Sequence, residues 1–360
     1  MQNFEIMSID ASFYDAVDLL KKLIAIPSFS REEATVADFL EEYLLKKNLH
    51  PQRKGNNIWL TSPNWDETKP IILLNSHIDT VRPVSGWTKD PFFPLEEDDK
   101  LYGLGSNDAG APLVSLLQTF LFLTKKEQPN NFIFLASGEE EISGNGGVEL
   151  ILPELPPMAL AVVGEPTNMQ PAIAEKGLLV LDGVVHGKSG HAARNEGDNA
   201  IYKALPIIQW FQNLEFPLKS ELLGAVKVTL TMIQAGTQHN VIPDRCQFTV
   251  DIRTNECYTN EQVLQYIQEN CPCEINARSL RLNSSQIDIE NPIVQRAILL
   301  GLEPFGSPTM SDQTKMSFPS IKIGPGNSAR SHTADEFVYL SEIREALDIY
   351  IRLLDDLKYS

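Results

Sequence analysis

Cysteine, histidine, basic charge and long apolar runs are all scarce in this chain. Its 360 residues include 4 cysteines and 6 histidines. Cys246, Cys257, Cys271 and Cys273 fall in one stretch, too few and too local for a disulfide framework. Cys271-Pro-Cys273 has no second cysteine pair or neighbouring histidines with which to build a zinc site. All four cysteines therefore read as reduced thiols of a cytoplasmic protein. No apolar run approaches the roughly 18 residues of a membrane span. The opening residues, Met1 to Met7, lack a basic region followed by an apolar one, so no signal peptide is expected. Lys and Arg number 30 against 48 Asp and Glu, a formal net charge of −18. So acidic a chain is not expected to grip nucleic acid or an anionic membrane through general electrostatics. A cationic small molecule would feel a mild attraction. Charged residues make up 22%, too few for a disordered chain, and hydrophobic residues 42%, ordinary for a globular one. The length points to about two domains.

What is present is an alternation of patterns. Phe13, Ala16, Val17, Leu20, Leu23 and Ile24 fall at helical spacing, and Pro27 stops the run. Ser30-Arg-Glu-Glu33 reads as a capping box that opens a second helix. Ile71–Leu74, Phe132–Ala136 and Ala159–Val163 read as buried strands, and Pro112–Leu123 as a helix. This alternation predicts an α/β domain with a largely parallel sheet. From about Glu175 the order becomes strand, helix, strand, strand, helix and a final strand, the pattern of a small α+β domain. The helix Ala200–Leu214 is read as interrupted by Pro206, and Thr259-Asn-Glu-Gln262 opens the second one. Helix Pro292–Leu300, strand Ile321–Ile323 and helix Ser341–Leu357 then return to the first domain. The predicted organisation is a catalytic domain over 1–174 and 284–360, split by an insert over 175–283.

Three predicted strands end in metal-competent groups. Ile71–Leu74 runs into Asn75-Ser-His77-Ile-Asp79, Phe132–Ala136 into Ser137-Gly-Glu139-Glu140-Glu141, and Ala159–Val163 into Gly164-Glu165-Pro166. Leu104-Gly-Ser-Asn-Asp108-Ala-Gly precedes a helix. Ligands of open α/β sheets bind at the carboxyl ends of the strands. One such glutamate alone would be an ordinary solvated loop residue; four coincidences on one predicted edge are not. Carboxylates gathered this closely need compensating cations. Imidazole and carboxylate ligands suit zinc, cobalt or manganese. Two such ions about 3.5–4 Å apart can activate one water.

These motifs, with Gly190-His191 and with His332 after Gly324-Pro-Gly326, resemble those of the dizinc amidohydrolase and peptidase (M20-type) family of acetylornithine deacetylase, succinyl-diaminopimelate desuccinylase and carboxypeptidase G. The resemblance runs in order over nearly the whole chain. It implies a zinc-peptidase-like (phosphorylase/hydrolase-like) mixed-sheet α/β domain carrying an inserted ferredoxin-like dimerisation lid. It implies two Zn²⁺ per chain, with Co²⁺ or Mn²⁺ as possible substitutes. By that resemblance His77 and Glu165 bind one ion, Glu140 and His332 the other, and Asp108 bridges both, followed by a cis peptide to Ala109. Asp79 would fix the His77 tautomer. Glu139 would move the proton from water to the leaving nitrogen. Glu141 is the alternative for that role, which the motif register disfavours. His191 in the lid would stabilise the oxyanion across a dimer. Asn240 and Arg253, and less directly Lys176, would bind a substrate carboxylate; the plain alternative for Arg253 is a salt bridge with Asp251. Gly324 and Gly326 would offer backbone N–H groups, and Asp312 could meet a cationic side chain. One departure stands out: Gly103-Leu-Gly105-Ser-Asn-Asp108 followed by Ala109-Gly-Ala111 lacks the Arg and the Lys that many relatives carry there.

The expectation is a cytoplasmic homodimeric deacylase of N-acyl amino acids. An N2-acetyl or N2-succinyl ornithine is the leading substrate, which places the reaction in arginine biosynthesis. The desuccinylase activity and a small di- or tripeptidase are the alternatives. A metal-free amino-acid-binding relative would have lost ligands, and none of the five is missing. A dizinc phosphoesterase would not need His191 and Arg253 together.

Overall fold

The computed structural model describes residues 9–359. The chain divides into two units, one formed by residues up to Ile173 with Ile287–Phe305 and those from Ser311, the other by Ala174–Gln286 with Gly306–Met310. The short piece Gly306–Met310 therefore groups with the insert, where the sequence pattern assigned it to the catalytic domain.

The first unit is built on a mixed sheet. Its strands lie in the order Gln52–Lys54, Asn57–Thr61, Asn131–Ser137, Ile71–His77, Leu160–Val163, Ser320–Lys322 and Ala172–Glu175. The four from Asn131–Ser137 to Ser320–Lys322 run parallel, and their outer neighbours run antiparallel. Alternation sends Ile72, Leu74, Phe132 and Phe134 into the core under helices Ile9–Ile24, Ala111–Leu123 and Leu340–Leu354. Ile71, Leu73, Ile133 and Leu135 face a second core with Val148, Ile151 and Met316. With both faces covered, the central strands must be apolar throughout, which is why they read as unbroken apolar runs. Helix Ala111–Leu123 is buried at every residue from Ala111 to Phe120, so its pattern carries little amphipathic signal.

Three neighbouring parallel strands thus end side by side. His77 pairs in register with Ser137, and Asn75 with Val163, so the segments beginning at His77, Ser137 and Gly164 emerge along one edge. The Ser30–Glu33 capping box does not form. Helix Ala34–Lys46 begins after Glu33 with no side-chain cap, because both Ser30 and Glu33 are engaged at that edge.

The second unit is a four-stranded antiparallel sheet in the order Lys227–Ala235, Arg245–Arg253, Leu179–His186, Glu274–Ala277. Numbered along the chain these four strands lie in the order 2-3-1-4, a βαββαβ ferredoxin-like arrangement with helices Ala200–Gln212 and Asn260–Asn270. Leu179, Leu181 and Val185 alternate into its core with Phe211, Phe248 and Ile252. Gly183 is required there, because a Cβ would strike the ring of Phe248. Thr259 and Gln262 form the predicted capping box. Pro206 lies inside its helix and does not break it.

Candidate metal centre

His77 closes its strand with the ring 2% exposed. Its Nδ1–H donates to the main-chain oxygen of Asp79 at 2.8 Å. That leaves Nε2 as the ring atom facing Asp108 Oδ1 at 3.2 Å and Glu165 Oε1 at 3.8 Å. Asp79 therefore orients the ring through its carbonyl; its carboxylate stands farther off, at 3.6 Å. Burial opposes charge on His77, but Asp108, Asp79 and Glu165 outweigh it and hold the ring well above its usual pKa.

Asp108 faces two ways. Oδ1 meets His77, and Oδ2 lies 3.7 Å from His332 Nε2. The Asp108–Ala109 peptide is cis. Glu336, a residue without any sequence signal, accepts the backbone N–H groups of Gly105, Asn107 and Asp108 at 3.2, 2.9 and 3.0 Å. Burial, with Asp108 beside it, pushes the Glu336 carboxyl up to about 8.

The acidic run follows a different register from the one expected. Four consecutive backbone N–H groups are taken by side-chain oxygens: Gly138 by Asn57 at 3.0 Å, Glu139 by Glu33 at 3.2 Å, Glu140 and Glu141 by the two oxygens of Asp79 at 3.0 and 3.2 Å. Glu139 sits at the turn with φ of +53°. Its carboxylate points back into the loop, where it accepts the N–H of Gly146 at 3.2 Å. Glu140 lies with His77 and Glu165, and Glu141 with His77 and Asp108; within each group the candidate ligand atoms lie within 4.8 Å of one another. His332 meets Glu141 at 2.9 Å. The expectation that Glu139 acts at the centre and that Glu140 partners His332 is corrected by one residue. The strained turn at Glu139 decides this, and three consecutive glutamates conceal it in the sequence.

The donor set fits two divalent cations. Glu141 Oε1 is buried with no hydrogen-bond partner among the described residues, although a buried carboxylate oxygen demands one. Burial pushes Glu165 up to about 8, and Glu140 and Glu141 are raised too, burial being the first cause in each. The Glu141 carboxylate lifts His332 to about 9. Carboxylates crowded and desolvated in this way lack positive charge.

Several other expected residues are engaged elsewhere. The N–H of Gly324 donates to Thr167 Oγ1 at 3.1 Å and is not free for a ligand. Gly326, at φ of +89°, leaves room for Asn107, whose side chain bonds the main chain of Asn327. Asp312 is buried, accepting from Ser137 Oγ at 2.9 Å and pairing with Lys315 at 3.0 Å, so it meets no outside cation. In the second unit Arg253 pairs with Asp251 at 2.9 Å, and Lys176 Nζ donates to the Ala225 carbonyl at 2.8 Å. His191 and Asn240 are exposed there, on the small ladder that joins Gly190–His191 to Val241–Ile242. His186 is exposed beside Glu274.

A model of peptidase family M28 matches residues 57–163, and one of the peptidase dimerisation domain matches 173–273. The chain is 27% identical over 357 residues to the LysW-lysine/LysW-ornithine hydrolase of Sulfurisphaera tokodaii, covering 94% of this chain and 95% of that one. It is 24% identical over 371 residues to the acetylornithine deacetylase of Proteus mirabilis, covering 94% and 96%. A solved M20 family metallo-carboxypeptidase from Sulfolobus solfataricus superimposes with a TM-score of 0.71 at 18% identity, over 96% of this chain and 98% of that one. The dimerisation module, the full-length relatives and the shared fold together make the chain similar to the metallopeptidases of the M20 family.

Proposed function

We propose that this protein is a dinuclear metal amidohydrolase that removes the acyl group from an N-acyl amino acid. The observation that carries the reading is Asp108, whose two oxygens face His77 and His332 separately. His77 and Glu165 would hold one ion, His332 and Glu141 the other, with Asp108 shared. Each ion then has three protein ligands and an open position, the arrangement of catalytic rather than structural sites. Zinc suits this donor set, with cobalt or manganese as substitutes. When bound, the ions polarise the scissile carbonyl and lower the pKa of the attacking water.

Glu140 is the carboxylate left over once both ions are supplied. Buried beside His77 and Glu165, with its pKa raised, it is suited to take the water's proton and return it to the departing nitrogen. His191 would stabilise the developing oxyanion from a second copy of the chain, bound through the dimerisation domain. Asn240 and Arg253 would receive the substrate carboxylate, Arg253 by exchanging Asp251 for it; Lys176 is the weaker candidate beside them.

The leading substrates are N2-acetyl- and N2-succinyl-L-ornithine, which would place the enzyme in arginine biosynthesis. Relatives named for ornithine derivatives support this, as does the net charge of −18, which favours a cationic side chain. Four free thiols support a cytoplasmic setting. Among the described residues no helix is long and apolar enough to cross a membrane. The test is a hydrolysis panel of N-acetyl and N-succinyl amino acids, succinyl-diaminopimelate and small peptides with zinc-loaded protein. Faster cleavage of peptides than of any acyl amino acid would reverse the assignment.

A further inference from the structure

The loop that presents Asp108 rests on one side chain from far along the chain. Glu336 Oε1 accepts from Asn107 at 2.9 Å and from Asp108 at 3.0 Å, and Oε2 accepts from Gly105 at 3.2 Å. The Glu336 main-chain oxygen adds a fourth bond, from Gly103 at 3.0 Å. Glu336 is 2% exposed, and among the described residues no lysine or arginine pairs with it. A carboxyl is costly to bury, and one that gathers three successive N–H groups of the Asp108 loop calls for a purpose beyond filling space.

The geometry of Asp108 indicates that purpose. Its oxygens must face His77 and His332 at once, and a turn of the Asn107–Asp108 peptide would keep one partner and lose the other. The two halves are unequally supported. His77 is buried and backed by Asp79. His332 has a side chain 52% exposed and stands on a loop at φ of +59°. We propose that Glu336 is a positioning residue that sets the affinity of the His332–Glu141 half for its ion, by fixing the direction of Asp108 through the three N–H groups it accepts. This rests on the dinuclear reading above.

The test is a zinc titration of the full-length, chelator-stripped protein against a competing indicator. Wild type should take up two ions. Glu336→Gln keeps the shape but replaces one accepting oxygen by an NH2 group, and should hold one ion tightly and the second about 10–100-fold more weakly, the usual effect of losing such a supporting partner. Turnover of Glu336→Gln should recover at high free zinc. Val338→Ala, a buried change two residues along, serves as the control and should lower Tm while leaving both affinities unchanged. Should Glu336→Gln not fold, Glu336→Asp keeps both oxygens, shortens the reach and should weaken the second ion likewise. Two wild-type affinities in the variant, or equal weakening of both in step with Tm, would overturn the proposal. Wild type binding no zinc would overturn the dinuclear reading itself, before Glu336 is tested.

Discussion

Asp79 Oδ1 accepts the backbone N–H of Glu140 at 3.0 Å, so the residue that orients His77 also fixes the start of the acidic pair. Its other oxygen holds Glu141 and the hydroxyl of Ser30. One residue, through its carbonyl and its carboxylate, thus sets the relative positions of groups on two different strand ends. Asp79→Ala should weaken metal binding and lower turnover by about 10–100-fold, as loss of a supporting partner typically does. Metal content after dialysis and steady-state rates would check this. An unchanged metal content would mean that the backbone alone holds the turn.

The register of the acidic run makes three variants differ. Glu140→Gln should retain both ions and lose about 10²–10⁴ in turnover. Glu141→Gln should lose an ion. Glu139→Gln should keep both ions and most of its activity, because its carboxylate serves only the loop at Gly146. Elemental analysis alongside rates separates the three. A metal-replete but inactive Glu139→Gln would restore the other register.

The pH dependence of stability has a definite sign in the metal-free protein. Glu165 and Glu336 are pushed up from 4.5 to about 8, and His332 from 6.5 to about 9. Each holds a proton in the folded chain at pH values where the unfolded chain has released it. Their contribution is full below the unfolded pKa and is lost as pH rises through the folded one. Melts of chelator-treated protein should show Tm falling between about pH 5 and pH 9. Saturating zinc displaces those protons, so the gain in Tm on adding it should grow with pH. A metal-free Tm that climbs over that window would contradict the electrostatics described.

His191 is exposed on the inserted unit, and its Nδ1 accepts the N–H of Ala193 at 3.1 Å. His191→Ala should lower turnover by about 10²–10³ without loss of metal, the effect of removing one oxyanion donor. Mixing it with Glu140→Ala should restore up to about a quarter of wild-type activity, since half the dimers are mixed and each has one complete site. No recovery, with subunit exchange shown independently, would mean that His191 serves its own chain.

The strands of the catalytic unit were legible because both their faces are covered, and the ligands because they follow those strands directly. His77, Asp108, Glu165 and His332 lie together in the structure. The register at Glu139–Glu141 was not legible, since identical side chains differ only through a left-handed turn. The supports were hidden by distance: Glu33 reaches Glu139 across 106 residues, and Glu336 reaches Asp108 across 228. Ser30 and Glu33 even mimic a helix cap, because a hydroxyl and a carboxylate three residues apart suit either role. Short edge strands such as Leu95–Glu97 and Phe337–Tyr339 carry too few residues to show alternation.

All four thiols of the chain lie in the inserted unit. Cys246 and Cys271 are sealed in its core, while Cys257 and Cys273 are partly open. The molecule therefore carries a built-in reporter. An alkylating reagent added under native conditions reaches the sealed pair only when that unit opens, and the rest of the chain contributes no signal. The rate of their labelling measures the local opening of the inserted unit alone, and its dependence on protein concentration tests whether a second copy closes that unit.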